Sequence, residues 1–265
     1  MKILFLGVIV GKTGRSAAVR FLSEFNDKNG KADLTIANAD HAAEGSGLTG
    51  DIAAELVDAG VDVITTGQNV WSQSDLESAI GKRQDILRPL NLPSTSPGRG
   101  ILITEAGPDK IPVGVIDLSG YTFINRILPD NPFPVIHDVV KEVSSRARVT
   151  VIDFCAIPSA EKVAMRYHID GMISLLVGTG TLVQTADEQV SKTGSASITD
   201  AGMIGAYDSV VGFEKDGEIK RFTTSVRSFA RTAEGRARVD AVLCDVDSGT
   251  GWARSIQRIS TIIEA

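Results

Sequence analysis

Three apolar runs, KILFLG (2–7), DLTIAN (33–38) and DVITTG (62–67), set the strongest constraint on what this chain can fold into. Each is nearly continuous in hydrophobic residues, as in a strand covered on both faces. Between and after them come stretches with apolar residues at helical spacing: RSAAVRFLSEFNDK (15–28), GDIAAELVDAG (50–60) behind the capping Thr49, and QSDLESAIGK (73–82). This alternation of buried strand and amphipathic helix calls for a parallel sheet with crossover helices, which is an α/β fold.

From residue 101 the rhythm changes. ILITE and VGVIDL, joined by AGPDKIP, read as a hairpin. Pro129, Pro132 and Pro134 lead into a helix near 135–145, and RVTVIDF (148–154) and MISLLVG (172–178) read as buried strands around the helix SAEKVAMRYHID. Beyond 190 the segments IKRFTT, RVDAVLCDVD and WARSIQRIST read as shorter strands. No repeat or linker divides 1–265, so the expectation is a single α/β domain, parallel strands first and antiparallel strands later. Sites in such folds lie beyond the carboxyl ends of the strands. Those ends are Gly7–Gly11, Asn38–Glu44, Gly67–Ser72, Asp153–Ile157 and Gly178–Leu182.

A net charge of −6 argues against a nucleic-acid partner. The arginine-bearing SVRSFARTAEGRARV (225–239) reads as a solvated hairpin surface. Cys155 and Cys244 fall in different strands and suggest no disulfide framework, which fits a reducing cytoplasm. The opening apolar run is broken by Gly7 without a cleavage site, and no stretch approaches the roughly 20 apolar residues of a membrane span. With only three histidines, His41, His137 and His168, a site needing several imidazoles is nearly excluded.

The strand-end loops carry little chemistry. GVIVGKTG has one residue too few for a phosphate loop, and its β-branched interior resists the required turns; it reads as a strand end and a glycine turn. NADHAAEGSGLT holds the densest group of donors, Asn38, Asp40, His41 and Glu44. TGQNVWS offers the neutral amides Gln68 and Asn69, and DFCAIPSAEK offers Cys155, which reads as a small buried hydrophobe. VGTGTLVQTAD has small residues able to approach an anion, and no side chain that could bind a metal or move a proton before Asp187.

Taken in order, these loops together with LRPLN, SPGRG, AEK, VQTAD and TDAGMIGAYDS (199–209) resemble the bacterial calcineurin-like metallophosphoesterases of the YmdB type over nearly the whole chain. The resemblance implies a four-layer α/β/β/α sandwich of the metallophosphoesterase type, with two metal ions hydrolysing cyclic-nucleotide phosphodiesters. Two cations about 3.5–4 Å apart repel, so such a site needs a bridging carboxylate and several anionic or imidazole ligands. Against the family pattern, the first carboxylate ligand corresponds to Val8 and the bridging glutamate to Asp40. The asparagine that follows it corresponds to His41. The ligand asparagine and proton-donating histidine of Gly-Asn-His correspond to Gln68 and Asn69. Further histidines correspond to Cys155, Gly180 and Leu182.

The expectation drawn from this pattern is a degenerate phosphodiesterase, metal-free and inactive, that binds a ligand or partner. Val8 and Leu182 would fill the former metal cavity. GTGT and GKTG would serve as anion cradles for a cyclic nucleotide or other phosphate-bearing ligand. By resemblance alone a homo-oligomer is expected; the cysteines place it in the cytoplasm, and the substituted ligand positions call for no cofactor. The alternative is a remodelled hydrolase in which Asp40, His41 and Cys155, joined by Asp200 or Asp208, gather one zinc, manganese or iron ion.

Overall fold

The computed structural model describes residues 1–226 and 230–264. In chain order its elements are β1 (Lys2–Leu6), β2 (Val8–Ile9), α1 (Gly11–Asn29), β3 (Leu34–Asn38), α2 (Gly50–Asp58), β4 (Val63–Thr65), α3 (Leu76–Ile80), β5 (Ile101–Ala106) and β6 (Ile111–Ser119). There follow α4 (Ile136–Ser144), β7 (Val149–Cys155), α5 (Ser159–His168), β8 (Leu175–Thr179), β9 (Gln189–Val190), β10 (Ala196–Ile198), β11 (Met203–Ala206), α6 (Lys215–Thr224), β12 (Ala237–Val246) and β13 (Ala253–Ile263).

The strands form two sheets. A seven-stranded sheet runs β2-β11-β12-β1-β3-β4 with β13 on β12, and a six-stranded sheet runs β5-β6-β7-β8-β10-β9. In the first, β1, β3 and β4 are parallel, while β12 runs antiparallel to β1, β11 and β13. In the second, β6, β7, β8 and β10 are parallel. The expected division into parallel strands first and antiparallel strands later is therefore corrected: each sheet mixes both senses.

Strand parity builds the layers. Side chains alternate faces along a strand, so Ile3 and Phe5 of β1, Leu34 and Ile36 of β3, Val113 and Val115 of β6, and Val149 and Val151 of β7 all meet in one apolar layer between the sheets. The opposite faces are covered by helices. Leu4, Leu6 and Ala37 pack with Ala18, Phe21 and Leu22 of α1 and Leu56 of α2, whereas Ile116, Leu118, Ile152 and Phe154 pack with Val140 of α4 and Met165 of α5. The result is the expected α/β/β/α sandwich. Gly14 lets α1 lie against the first sheet, because a Cβ there would come 2.3 Å from the Ile204 carbonyl oxygen.

Local readings fared unevenly. The Thr49 side chain caps α2 by accepting from the Ile52 N–H, as its residue type suggested. Three expectations are corrected. The expected glycine turn GKTG is the first turn of α1, entered from an extended Val10. QSDLESAIGK yields only the short α3. IKRFTT lies inside α6 rather than in a strand. In α6, Asp216 and Glu218 occupy the first turn, and Arg221 in the last turn pairs with Glu218 at 3.0 Å, an arrangement that suits a helix dipole. Of the expected surface hairpin at 225–239, residues 227–229 lie outside the described residues; Ser225 caps α6, and 237–239 enter β12. No helix among the described residues is long and apolar enough to cross a membrane.

Candidate functional site at the carboxyl ends of the strands

The parity that fills the inter-sheet layer with hydrocarbon changes character at the strand ends. Two residues beyond Ile36, Val63, Val115, Val151 and Val177 stand Asn38, Thr65, Asp117, Asp153 and Thr179, all buried. Their side chains lock the sheets together. Asp153 Oδ2 accepts from Asn38 Nδ2 at 2.8 Å and from Thr65 Oγ1 at 2.5 Å, and its Oδ1 accepts from Thr179 Oγ1 at 2.7 Å. Asp117 lies directly across from Asp153 in the β6–β7 register. Its Oδ2 accepts from the Thr66 N–H at 2.8 Å, while Oδ1 is buried without a partner. Burial, opposed by those hydrogen bonds, pushes the Asp153 carboxyl up to about 6. Burial and then the charge of Asp153 push Asp117 well above the ordinary carboxylate range.

Asp40, His41 and Asn69 form a second network just above. Asp40 Oδ1 accepts from the Asn69 N–H at 2.9 Å and Oδ2 from Asn69 Nδ2 at 2.7 Å. The same amide nitrogen approaches His41 Nε2 at 3.2 Å, and His41 Nδ1 lies 2.7 Å from the Gly45 carbonyl oxygen. A carbonyl only accepts, so Nδ1 carries a proton on the Gly45 side, while Nε2 faces the Asn69 amide and, at 3.9 Å, Asp40 Oδ2. Ser46 Oγ donates to Asn69 Oδ1 at 3.3 Å and fixes the amide's orientation. Burial raises the Asp40 carboxyl, while His41, the two Asn69 hydrogen bonds and the Arg126 guanidinium pull it down. Gly67 is the floor on which this network meets β7. A Cβ there would come 2.6 Å from Cys155 Sγ and 2.9 Å from the Asp40 carboxylate. Burial, followed by the charges of Asp40, Asp153 and Asp117, pushes the Cys155 thiol well above its ordinary value, against a hydrogen bond from the Gln68 backbone.

The remaining candidates are apolar or structural. Val8 and Leu182 are buried in one small cluster with Val10 and Met203, flanked by Val211 and Phe213. Leu182 holds φ 65°, a left-handed backbone that costs a leucine about 1 kcal/mol or more and survives where surroundings enforce it. Gly180, at φ 109°, sits against Ala156, whose carbonyl oxygen a Cβ would approach to 2.9 Å. Asp200 anchors this loop. Its Oδ2 accepts from Lys162 Nζ at 2.6 Å, Thr181 Oγ1 at 2.7 Å and the Thr181 N–H at 3.0 Å, and Lys162 and Asp200 are both fully enclosed. Asp208 is a surface residue paired with Arg236 at 2.8 Å. The expectation that Asp200 or Asp208 could join a metal site is therefore corrected: one is neutralised by a buried lysine and the other lies outside. The expected anion cradles are also partly closed. Gly11 and Gly14 donate their N–H groups to the His41 and Val10 carbonyls, and Thr181 donates to Asp200.

Comparison with known proteins decides the family. The model of the YmdB-like proteins matches residues 4–259. This chain belongs to the YmdB-like family. It is 37% identical over 259 residues, 98% of this chain and 96% of the relative, to the 2',3'-cyclic-nucleotide 2'-phosphodiesterase of Bacillus subtilis (strain 168). A phosphatase structure from Mycoplasma pneumoniae superposes with TM-score 0.93 at 30% identity, covering 100% of this chain and 94% of that one. A hypothetical protein from Thermus thermophilus superposes with TM-score 0.91 at 29% identity, covering 99% of this chain and 100% of that one. The YmdB-like family is one of metallophosphoesterases, and this chain carries that fold over its whole length.

The donor set does not fit the two-cation centre that the YmdB-type resemblance implies. Among the described residues no group of three or more His, Cys, Asp or Glu side chains is arranged to hold a metal ion. Of Asp40, His41 and Cys155, the carboxylate is closed by two Asn69 hydrogen bonds, the imidazole nitrogen facing it is occupied, and the thiol is buried. The structure thus brings Asp40, His41, Asn69 and Cys155 together, and Val8 with Leu182 beside them. Gln68 joins through its backbone. Sequence reasoning missed Thr65, Asp117 and the Lys162–Asp200 pair. The first two were visible as polar residues continuing an inward strand parity, whereas the ion pair joins a helix to a loop and left no local signal.

Proposed function

We propose that this chain is a binding protein built on a phosphodiesterase fold, holding no metal and turning over no phosphoester. The observation that carries the reading is the Asp40–Asn69–His41 closure. The carboxylate expected to bridge cations instead accepts two hydrogen bonds from Asn69, at 2.9 and 2.7 Å. A titrating proton donor is also missing from that position, since an amide neither gains nor loses a proton near neutrality. The apolar contact of Val8, Val10, Leu182 and Met203 supports the same reading, because hydrocarbon there removes the cost of burying carboxylates without a cation. The expected ligand is a small anion or phosphate-bearing molecule reaching the strand ends.

A second reading has its own support. The Bacillus subtilis relative, 37% identical over 98% of this chain, is named as a cyclic-nucleotide phosphodiesterase, and that name favours a metal-dependent phosphodiesterase over an inactive protein. In that reading Asp40, His41 and Cys155 supply the ligands of one cation, whose role would be to activate water and steady phosphate oxygens.

One experiment separates the two. The purified chain is exposed to manganese, iron and zinc, its metal content is measured by inductively coupled plasma mass spectrometry, and hydrolysis of 2',3'-cyclic AMP is followed on the same sample. Sub-stoichiometric metal with no hydrolysis supports the binding protein. Stoichiometric metal with hydrolysis abolished by Asp40→Ala and Cys155→Ala establishes the hydrolase.

A further inference from the structure

A cavity of about 540 Å³ opens beside His41 and shares Val211 and Phe213 with the flank of the apolar cluster. This is the size of a small-molecule site. Val210, Val211, Phe213 and Phe222 give it apolar walls. Phe213 is held in place: its ring stands edge-on to His41 with centroids 6.3 Å apart, and a ring carbon lies 2.5 Å from where a Cβ on Gly45 would be.

The charged groups on the wall are unequal. Arg221 is neutralised by Glu218 at 3.0 Å. Arg126 donates only to Ser46 Oγ, at 3.4 Å, and no carboxylate among the described residues forms an ion pair with it. The cavity therefore offers one guanidinium without an ion-pair partner among the described residues, above an aromatic and aliphatic surface. Glu44 on the same wall disfavours a ligand carrying more than one negative charge.

We propose that this cavity binds a small organic monocarboxylate with an apolar body, the carboxylate on Arg126 and the hydrocarbon against Phe213 and Phe222. A guanidinium meets a carboxylate through a planar pair of hydrogen bonds, and the apolar portion adds burial. The inference rests on reading the chain as a binding protein and names the class of its ligand.

The test is isothermal titration calorimetry on the full chain with 4-phenylbutyrate, set against acetate, 4-phenylbutanol, inorganic phosphate and 2',3'-cyclic AMP. The expected result is saturable one-to-one binding of 4-phenylbutyrate. Acetate and 4-phenylbutanol should each bind at least about tenfold more weakly, as should 4-phenylbutyrate to Arg126→Gln. Arg126 and Phe222 are exposed, so Arg126→Gln and Phe222→Ser are expected to keep the wild-type circular dichroism spectrum; Phe222→Ser should weaken 4-phenylbutyrate and leave acetate unchanged. Absence of saturable heat, equal binding to Arg126→Gln, or tighter binding of phosphate or cyclic AMP would overturn the assignment. Metal content and hydrolysis measured on the same preparation judge the binding-protein reading separately from the titration.

Discussion

The buried pair between Lys162 and Asp200 offers a demanding test of how the site loop is held. Lys162→Met keeps the length of the aliphatic stem, which lies beside Gly178, and removes the ammonium. Asp200 then loses its 2.6 Å partner while remaining enclosed. Stranding one member of a buried pair costs about 3–5 kcal/mol. Asp200 keeps hydrogen bonds from the Thr181 N–H, Thr181 Oγ1 and the Gly202 N–H, so the lower end, about 3 kcal/mol, is the expected loss. Equilibrium urea denaturation followed by circular dichroism measures it, with the slope unchanged if only stability is affected. The double variant Lys162→Met with Asp200→Asn removes the stranded charge and should recover more than half of the deficit. A loss below about 1 kcal/mol, or no recovery in the double variant, would refute the claim that this pair anchors the loop carrying Gly180 and Leu182.

Further outcomes follow from the same geometry. Val8→Asp places a carboxylate in hydrocarbon and should cost at least about 2 kcal/mol, with no rise in melting temperature on adding manganese; a manganese-dependent rise would mean that cations are held there. Asn69→Ala leaves Asp40 short of its 2.7 Å side-chain donor and should lower stability by about 1–3 kcal/mol in thermal denaturation. Gly178→Ala would set a Cβ 1.8 Å from the Thr199 carbonyl oxygen and should cost about 3 kcal/mol, read from its urea midpoint. Asp153, raised to about 6, favours the fold most in its protonated form: its contribution is complete below the unfolded value of about 3.9 and is lost as pH rises through about 6. Urea midpoints should therefore fall between about pH 4 and pH 7, and a flat profile over that range would contradict the burial of this carboxyl.

The layers were legible because strand parity and helical spacing are local. KILFLG and RVTVIDF announced buried strands, and the helices that cover them showed their apolar stripes. The errors arose where tertiary context decides. IKRFTT alternates well enough for a strand, yet its Ile219 and Phe222 are also one helical turn apart, and α6 uses the second spacing while leaving both exposed. In the site, Asp40, His41, Asn69 and Cys155 were found as strand-end residues, and their convergence follows from parallel strands ending on one edge. What was illegible was engagement. Asp200 looked like a free carboxylate until Lys162, 38 positions earlier in the chain, proved to reach it through the interior.

The position of β1 has a consequence for how the molecule is made. It lies inside its sheet between β3 and β12, and Lys2 pairs with Asp245. β1 must therefore wait for β12, synthesised more than 200 residues after it, before its second edge is covered. The other sheet draws all its strands from residues 101–198 and has no such dependence. Non-local pairing of the first kind is slow, since loop closure precedes any compensating contact. During synthesis the two halves of the sandwich are thus unequal partners: the later-encoded sheet can assemble as a unit, and β1 stays half-paired until β12 arrives to close the fold over it.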